Sequence, residues 1–324
     1  MIPFRLVDAR SAAHAVALLV EHGPAAQLIA AGGDLLDLLK EGVVARLQPS
    51  VLVNLATAGD LAGVSRVGPT LRLGAMTTLA DVAANADVQL AAPMLVEAIS
   101  RVASPQLRNM TTVAGNLLQR SRCLHFRHPA IDCFKKGGRG CPAAASDVPL
   151  SRSLFAAGPC RAVHPSDLVP VLAALDAEME IVGPAGVRTV PIDGLYAEAE
   201  RMPAREAAIG NDEVVVAIAL RAGMPRSQVF EKLTVRGAND FALASVAVAL
   251  DVQDDVVSDC RIVLGGVALR PMRCIDSETL VVGRTRHAIA PGSVADAALR
   301  GAKVPAAVRT LVSRALARAL GAPA

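Results

Sequence analysis

The chain of 324 residues carries 33 Lys and Arg against 30 Asp and Glu, a formal charge of +3, with 52% apolar and 2% aromatic residues. Its length exceeds the roughly 250–300 residues at which a single core stops growing, so more than one domain is expected. Scattered cations without a basic stripe, no Trp and a single Tyr196 exclude the phosphate-tracking and base-stacking surfaces of a nucleic-acid partner.

Arg5, Asp8, Arg10 and His14 interrupt the start of the chain, and the apolar run from Ala15 to Val20 is too short for a signal-peptide core. A cytoplasmic location follows, with the periplasm open through export alongside a signal-bearing partner. The longest apolar stretch, Phe241 to Leu250, falls well short of the roughly 20 residues of a membrane span. Ala12, Val16 and Leu19 share one face of a helix ending near Gly23, followed by a strand from Gln27 to Ala30. That strand runs into Ala31-Gly32-Gly33-Asp34, a helix from Leu35 to Lys40 follows, and a strand from Val51 to Leu55 closes the unit.

From Thr70 the pattern restarts with a strand at Leu71 to Leu73 and a helix opened by Thr77 or Thr78, with Asp81 placed to accept from free N–H groups. Pro93 starts a helix through Ile99, and Ser104 to Leu118 reads as a polar connection. Pro165 to Leu175 reads as a helix. Glu178 to Val182 and Val187 to Val190, joined by Gly183-Pro184-Ala185-Gly186, read as a hairpin. Gly223 and Pro225 mark a boundary after the apolar run Val214 to Leu220. Strand-like runs then follow at Gln228 to Val235, Phe241 to Val252 and Arg261 to Leu269, and an Ala-rich helix ends the chain.

Four of the six cysteines, Cys123, Cys133, Cys141 and Cys160, fall within 38 residues of weak periodicity, rich in Gly and Pro. So long an irregular segment calls for something that organises it. Disulfides suit a secreted chain, and without a visible signal peptide a reducing compartment, where structural disulfides are rare, is the expectation. Zinc usually takes close cysteine pairs two to four residues apart, and none occurs. An iron–sulfur cluster needs one thiolate per iron and tolerates wide spacing. Cluster, zinc and inert thiols all stay open on spacing alone. His125 and His128 read as polar loop residues, and Cys260 and Cys274 as small apolar side chains. No G-x-G-x-x-G and no P-loop occurs. Ala30 to Leu35 and Thr112-Val113-Ala114-Gly115-Asn116 are two small-residue bends whose N–H groups suit a diphosphate, and each also suits an ordinary tight turn.

Ala30-Ala31-Gly32-Gly33-Asp34-Leu35-Leu36-Asp37-Leu38, Gly74-Ala75-Met76-Thr77, Ser104-Pro105-Gln106-Leu107-Arg108-Asn109 and Thr112 to Leu117 resemble the FAD-binding medium subunit of molybdenum hydroxylases. The likeness extends through His164-Pro165-Ser166-Asp167, Lys232 and Arg236 to Leu264-Gly265-Gly266-Val267-Ala268, so it spans essentially the whole chain. It implies an α+β fold in which a two-subdomain FAD-binding domain precedes a smaller C-terminal α+β domain with an antiparallel sheet. The implied units are 1–56, 57–222 with an insert at 123–160, and 227–324.

The resemblance further implies that Ile29, Ala30, Ala31, Gly32, Gly33, Asp34 and Leu35, with Thr112, Val113, Ala114, Gly115 and Asn116, grip the FAD diphosphate and flank the flavin. Asp167 would contact the adenosine part, and Lys232 would lie near the isoalloxazine or phosphate. In the branch that includes aldehyde oxidoreductases and 4-hydroxybenzoyl-CoA reductase, Cys123, Cys133, Cys141 and Cys160 would hold a [4Fe-4S] cluster. The implied function is electron transfer from a molybdenum-cofactor large subunit and a [2Fe-2S] small subunit through FAD to an external acceptor. A zinc-stapled scaffold subunit is the alternative, and a stand-alone flavin oxidase a weaker one. The family's first bend usually reads A-G-G-T-[DN]-L. An ungapped match puts Ala31 at the first glycine, where a positive φ would strain it.

Overall fold

A computed structural model describes residues 3–43, 49–144, 153–155, 158–221, 223–302 and 304–321. Part of the expected 123–160 insert, residues 145–152 and 156–157, therefore lies outside the described residues, as do 222 and 322–324 at the ends of the expected units.

The chain opens with β1 (Arg5–Asp8), α1 (Ala12–His22), β2 (Ala26–Ile29), α2 (Leu35–Lys40) and β3 (Val51–Asn54). The three strands form a parallel sheet in the order β1-β3-β2. Ser11 starts α1 by accepting from His14 N, and Gly23 ends it at φ 51°, a conformation that an L side chain resists. The apolar face of α1 (Ala12, Ala15, Val16, Leu19) packs with Val51 and Val53 of β3.

Next come β4 (Val64–Val67), β5 (Thr70–Gly74), α3 (Leu79–Ala84), α4 (Ala86–Ala91), α5 (Pro93–Ser100), α6 (Pro105–Arg108), α7 (Val113–Leu117), α8 (Leu124–Arg127) and α9 (Leu168–Ala174). Then follow β6 (Glu178–Gly183), β7 (Gly186–Pro191), α10 (Ile192–Leu195) and β8 (Val214–Leu220). These strands make an antiparallel sheet in the order β4-β5-β8-β6-β7. Thr78 caps α3 as expected, accepting from Asp81 N at 3.1 Å.

The connection expected from Ser104 to Leu118 contains two short helices. Ser104 accepts from Leu107 N at 3.3 Å and Thr112 from Gly115 N at 3.1 Å, so each hydroxyl satisfies an N–H that would otherwise open the helix start.

The C-terminal part holds β9 (Ser227–Leu233), β10 (Ala244–Gln253), β11 (Val256–Gly265), β12 (Met272–Arg273), α11 (Ile275–Glu278), α12 (Pro291–Ala298) and α13 (Ala306–Ala319). Its antiparallel sheet runs β12-β11-β10-β9. The strand expected at Arg261 to Leu269 begins five residues earlier, because Asp254 and Asp255 (φ 49° and 66°) close a tight hairpin. It stops at Gly265 because Gly266 turns left-handed at φ 69°.

Alternation along β10 sends Val246, Val248 and Leu250 toward Val308, Leu311, Val312 and Leu316 of α13, and Ala247 and Ala249 toward Leu168 and Leu172 of α9. The largest core thus includes side chains from both sides of the expected boundary at Arg221 to Arg226.

Candidate cofactor site

The first bend follows β2 directly. Gly32 has φ +76°, a conformation that favours glycine, and a Cβ there would also press on Leu36 Cδ1 at 2.8 Å. Ala31 is not among the positive-φ residues. The strain anticipated at Ala31 is absent because the next residue takes the left-handed conformation. Ile29 and Leu35 anchor the bend against Leu39 and Leu52, while Ala31 and Gly33 face outward, with open space where a Gly33 Cβ would be.

Asp34 heads α2 without capping it. Its carboxylate crosses to the segment after α7, accepting from Arg120 N at 2.8 Å and Arg127 Nη2 at 2.6 Å, and pairing with Arg122 Nη1 at 3.3 Å.

The second bend is the start of α7. Val113 N donates to Thr77 O at 2.9 Å and Ala114 N to Ala75 O at 3.0 Å, which seats it beside β5. Thr112, Val113 and Asn116 are buried, whereas Gly115 is exposed and Ala114 half-buried. Asn116 Oδ1 accepts from Ser166 Oγ at 2.6 Å, joining this bend to His164-Pro165-Ser166-Asp167.

That segment lines a cavity of about 70 Å³ together with Arg122, Cys123, Phe241, Ala242 and Gly266. Asp167 lies at its wall, and Lys232 Nζ donates to Asp167 Oδ2 at 2.6 Å, to Arg101 O at 2.9 Å and to Asp240 O at 2.8 Å. All three ammonium protons are therefore used within the protein. Burial pushes the Asp167 carboxyl up to about 6 against the pull of Lys232, so it is ionised near neutrality. Neither Ile29–Leu35 nor Thr112–Asn116 lines this cavity. They reach it at one remove, through Asp34 to Arg122 and through Asn116 to Ser166.

Sequence reasoning did not select Arg122 or Phe241. The guanidinium stacks over the Phe241 ring at 4.8 Å, and its Nε is buried without a partner. Burial lowers its pKa, with Asp34 opposing. The available signal was three arginines, 120, 122 and 127, crowded around Cys123 in a chain whose cations are otherwise scattered.

His164 is buried edge-on against Tyr196, with ring centroids 4.5 Å apart. Burial lowers its pKa from 6.5 to about 4. The unfolded chain binds this proton between those values and the folded chain does not, so His164 contributes stability above pH 6.5 that is lost as pH falls toward about 4. The full difference is about 3 kcal/mol. Urea midpoints for His164→Gln and the parent should converge between about pH 7 and about pH 4; parallel profiles would refute this.

The four cysteines gather in one small apolar cluster with Phe126, Ala143, Ala162, Ala199 and Leu269. Cys123, Cys133 and Cys160 are 8%, 7% and 5% exposed, and all six cysteines of the chain are free thiols. Burial pushes the Cys160 thiol up to about 11, with a backbone hydrogen bond from Ala162 and the charge of Lys135 opposing. A tight set of turns presents them: Gly138 N and Lys136 N both donate to Cys133 O at 2.9 Å, and Phe134 N donates to Gly140 O at 2.9 Å.

Among the described residues no three His, Cys, Asp or Glu side chains converge as ligands of a single ion. In chemistry the donor set fits a larger iron–sulfur unit, which takes one thiolate per iron. The outward-facing first bend and the unpartnered Arg122 Nε suit an anionic, extended ligand.

The family described as FAD binding domain in molybdopterin dehydrogenase matches residues 2–220, and the CO dehydrogenase flavoprotein C-terminal domain matches residues 228–313. The chain belongs to this family, the FAD-binding medium subunits of molybdenum hydroxylases, and is an oxidoreductase subunit.

It is 35% identical over 260 residues, 79% of either chain, to the aldehyde oxidoreductase FAD-binding subunit PaoB of Escherichia coli (strain K12). It is 29% identical to the carbon monoxide dehydrogenase medium chain of Hydrogenophaga pseudoflava, covering 92% of this chain and 88% of that one. The solved carbon monoxide dehydrogenase of Hydrogenophaga pseudoflava lacking the Mo-pyranopterin moiety superposes with a TM-score of 0.76 at 27% identity, covering 99% of each chain. The expected α+β architecture is thereby established. No helix among the described residues is long and apolar enough to cross a membrane.

Proposed function

We propose that this chain carries FAD and a [4Fe-4S] cluster and passes electrons from a molybdenum-cofactor large subunit and a [2Fe-2S] small subunit through FAD to an external acceptor. The organic substrate class is an aldehyde, a reading supported by the likeness to PaoB. The names of the other relatives as medium chains support a complex of several subunits. The observation that carries the proposal is the gathering of Cys123, Cys133, Cys141 and Cys160 in one apolar cluster, three of them buried and Cys141 half-buried, beside arginines tied to Asp34 of the first bend.

In this reading the backbone N–H groups of Ile29–Leu35 hold the diphosphate of FAD, their partial positive charge suiting an anion. Thr112–Asn116, whose N–H groups from Val113 to Asn116 are bonded within the protein, flank the cofactor by contact. Asp167 sits at the adenosine end and Lys232 behind it. Bound FAD supplies a centre that takes electrons singly or in pairs. Phe241 and Arg122, stacked on each other, line the cavity. The four thiols hold iron and inorganic sulfide, and the apolar side chains around them exclude solvent. The working units are 1–56, 57–222 and 227–324, in a cytoplasmic complex unless a signal-bearing partner exports it.

Anaerobic purification of the full chain should give a coloured protein with bound flavin, about four iron and about four sulfide per chain, and no aldehyde turnover with a dye acceptor. Colourless zinc protein, or turnover by the lone chain, would sink the proposal.

A further inference from the structure

The cysteine cluster and the first bend are built into one another. The helix that follows the bend, α2, sends Leu38 into the same apolar cluster as Cys123, Cys133, Cys141 and Cys160, and Val43 just beyond that helix joins it. An ionic link runs alongside. Arg127 Nη2 donates to Asp34 Oδ1 at 2.6 Å and to Arg120 O at 3.1 Å, while its Nε donates to Ser121 O at 3.0 Å. One guanidinium thus ties the bend to the residues just before Cys123. Arg127 N donates to Cys123 O at 3.0 Å, and Cys123 N donates to Ser121 Oγ at 3.3 Å, so the first thiol belongs to the same knot.

A carboxylate at a bend that offers N–H groups to a diphosphate repels that anion unless cations mask it. The groups that mask Asp34 come from one segment: Arg120 N on Oδ2, Arg127 Nη2 on Oδ1, and Arg122 Nη1 at 3.3 Å from Oδ1. That segment has little fold of its own. Between Arg120 and Ala144 its regular structure is one short turn each at Leu124–Arg127, Phe134–Lys136 and Pro142–Ala144, and it borrows Leu38, Ala199 and Leu269 as apolar neighbours. Segments built this way open at low cost, and a metal centre that binds only the closed arrangement holds them shut.

We propose that Asp34 couples the two cofactor sites: a loaded set of cysteines tightens FAD binding, and bound FAD steadies the cluster by the same factor. The inference rests on the FAD and [4Fe-4S] readings above. With the cysteines loaded, the arginines stay on Asp34 and the bend suits an anion. With them empty, the segment loosens, the arginines leave, and a bare carboxylate faces the diphosphate. Both ligands bias one docking equilibrium, so the effect is reciprocal.

The test is a fluorescence titration of FAD into the anaerobically purified, deflavinated full chain, once with its iron and once after removal of iron by a chelator. Iron and sulfide are measured on every sample. In the parent the dissociation constant should rise about tenfold on iron removal, with both forms still holding flavin at saturating FAD. Asp34→Asn keeps an acceptor for Arg120 N and removes the charge, so its ratio should fall below about threefold. With iron in place, this variant should bind FAD no more weakly than the parent.

A merely bracing Asp34 would shift melting in both forms and leave the ratio untouched. Equal affinities in the loaded and stripped parent overturn the inference with no substitution needed. So does an undiminished ratio in Asp34→Asn, or weaker binding by that variant with its iron in place, which would make Asp34 a direct ligand of FAD. Should Asp34→Asn fail to fold, Arg127→Gln unmasks the carboxylate instead: iron-loaded, it should bind FAD about fivefold more weakly, and parent affinity would overturn the inference. A parent chain without iron overturns the cluster reading, and one that takes up no FAD the flavin reading, each distinct from failure of the coupling.

Discussion

On the proposed cluster reading, Cys133→Ser is expected to strip the chain of most of its iron and sulfide while leaving flavin bound. A serine hydroxyl is a poor substitute for a thiolate that binds iron, and each of four ligands serves its own metal. The same change puts a hydroxyl among Phe126, Ala143, Ala162 and Leu269, where an unpartnered polar group costs about 1–3 kcal/mol. Iron analysis and the visible spectrum report the first effect, and protease sensitivity of residues 123–160 the second. In the assembled complex, FAD reduction should slow if the cluster relays electrons. An unchanged rate in a stable complex would leave the cluster as a staple only.

Lys232→Met is expected to destabilise the fold by about 3–5 kcal/mol, the cost of stranding one partner of a buried ion pair. The side chains of Lys232 and Asp167 are 3% and 6% exposed, so water cannot replace the lost ammonium. Two carbonyls, of Arg101 and Asp240, lose their donor as well. Against a total stability of about 5–15 kcal/mol, this is a large fraction.

The sign of the pH dependence follows from Asp167. Its carboxyl is raised from 3.8 to about 6, so the folded chain binds a proton in that window more readily than the unfolded one, and stability falls as pH rises through it. Removing Lys232 raises the carboxyl further, so the variant's deficit should be largest near pH 7 and shrink toward about pH 5. Asp167→Asn combined with Lys232→Met should recover part of the loss. Urea midpoints of the parent and the two variants decide it: a deficit below about 1 kcal/mol would show that the pair is dispensable.

Elements with strong local signals were legible in the chain. The helix Leu35–Lys40, the capped start at Thr78, the hairpin Glu178–Pro191 and the last helix all stand where periodicity, caps and turns put them. β1 and β4 were not legible, because both are short, exposed edge strands. The pairing of β1 comes from a distant partner, Val51–Asn54, whereas β4 folds back on Thr70–Leu73 through the two-residue turn Gly68-Pro69. The Asp254-Asp255 hairpin escaped notice because two aspartates are a rarer way than Asn-Gly to reach positive φ. α12, opened by Pro291, is amphipathic only against a sheet that sequence cannot place.

At the site, the bends and the four cysteines were visible as motifs. The crossing of Asp34 to Arg120, Arg122 and Arg127, and the closing of Lys232 on Asp167, were not. Each joins residues 65 or more positions apart, and no local pattern encodes such a meeting.

The largest core does not respect the division between residues 2–220 and 228–313. Phe230, Ala247, Ala249 and Val263 of the C-terminal sheet are packed into the same cluster as Leu168 and Leu172. Natural drift on either flank must therefore be answered on the other. A chimaera spliced near position 224 from two relatives would inherit mismatched halves of one interior, and would require the seam residues to be transplanted as a set.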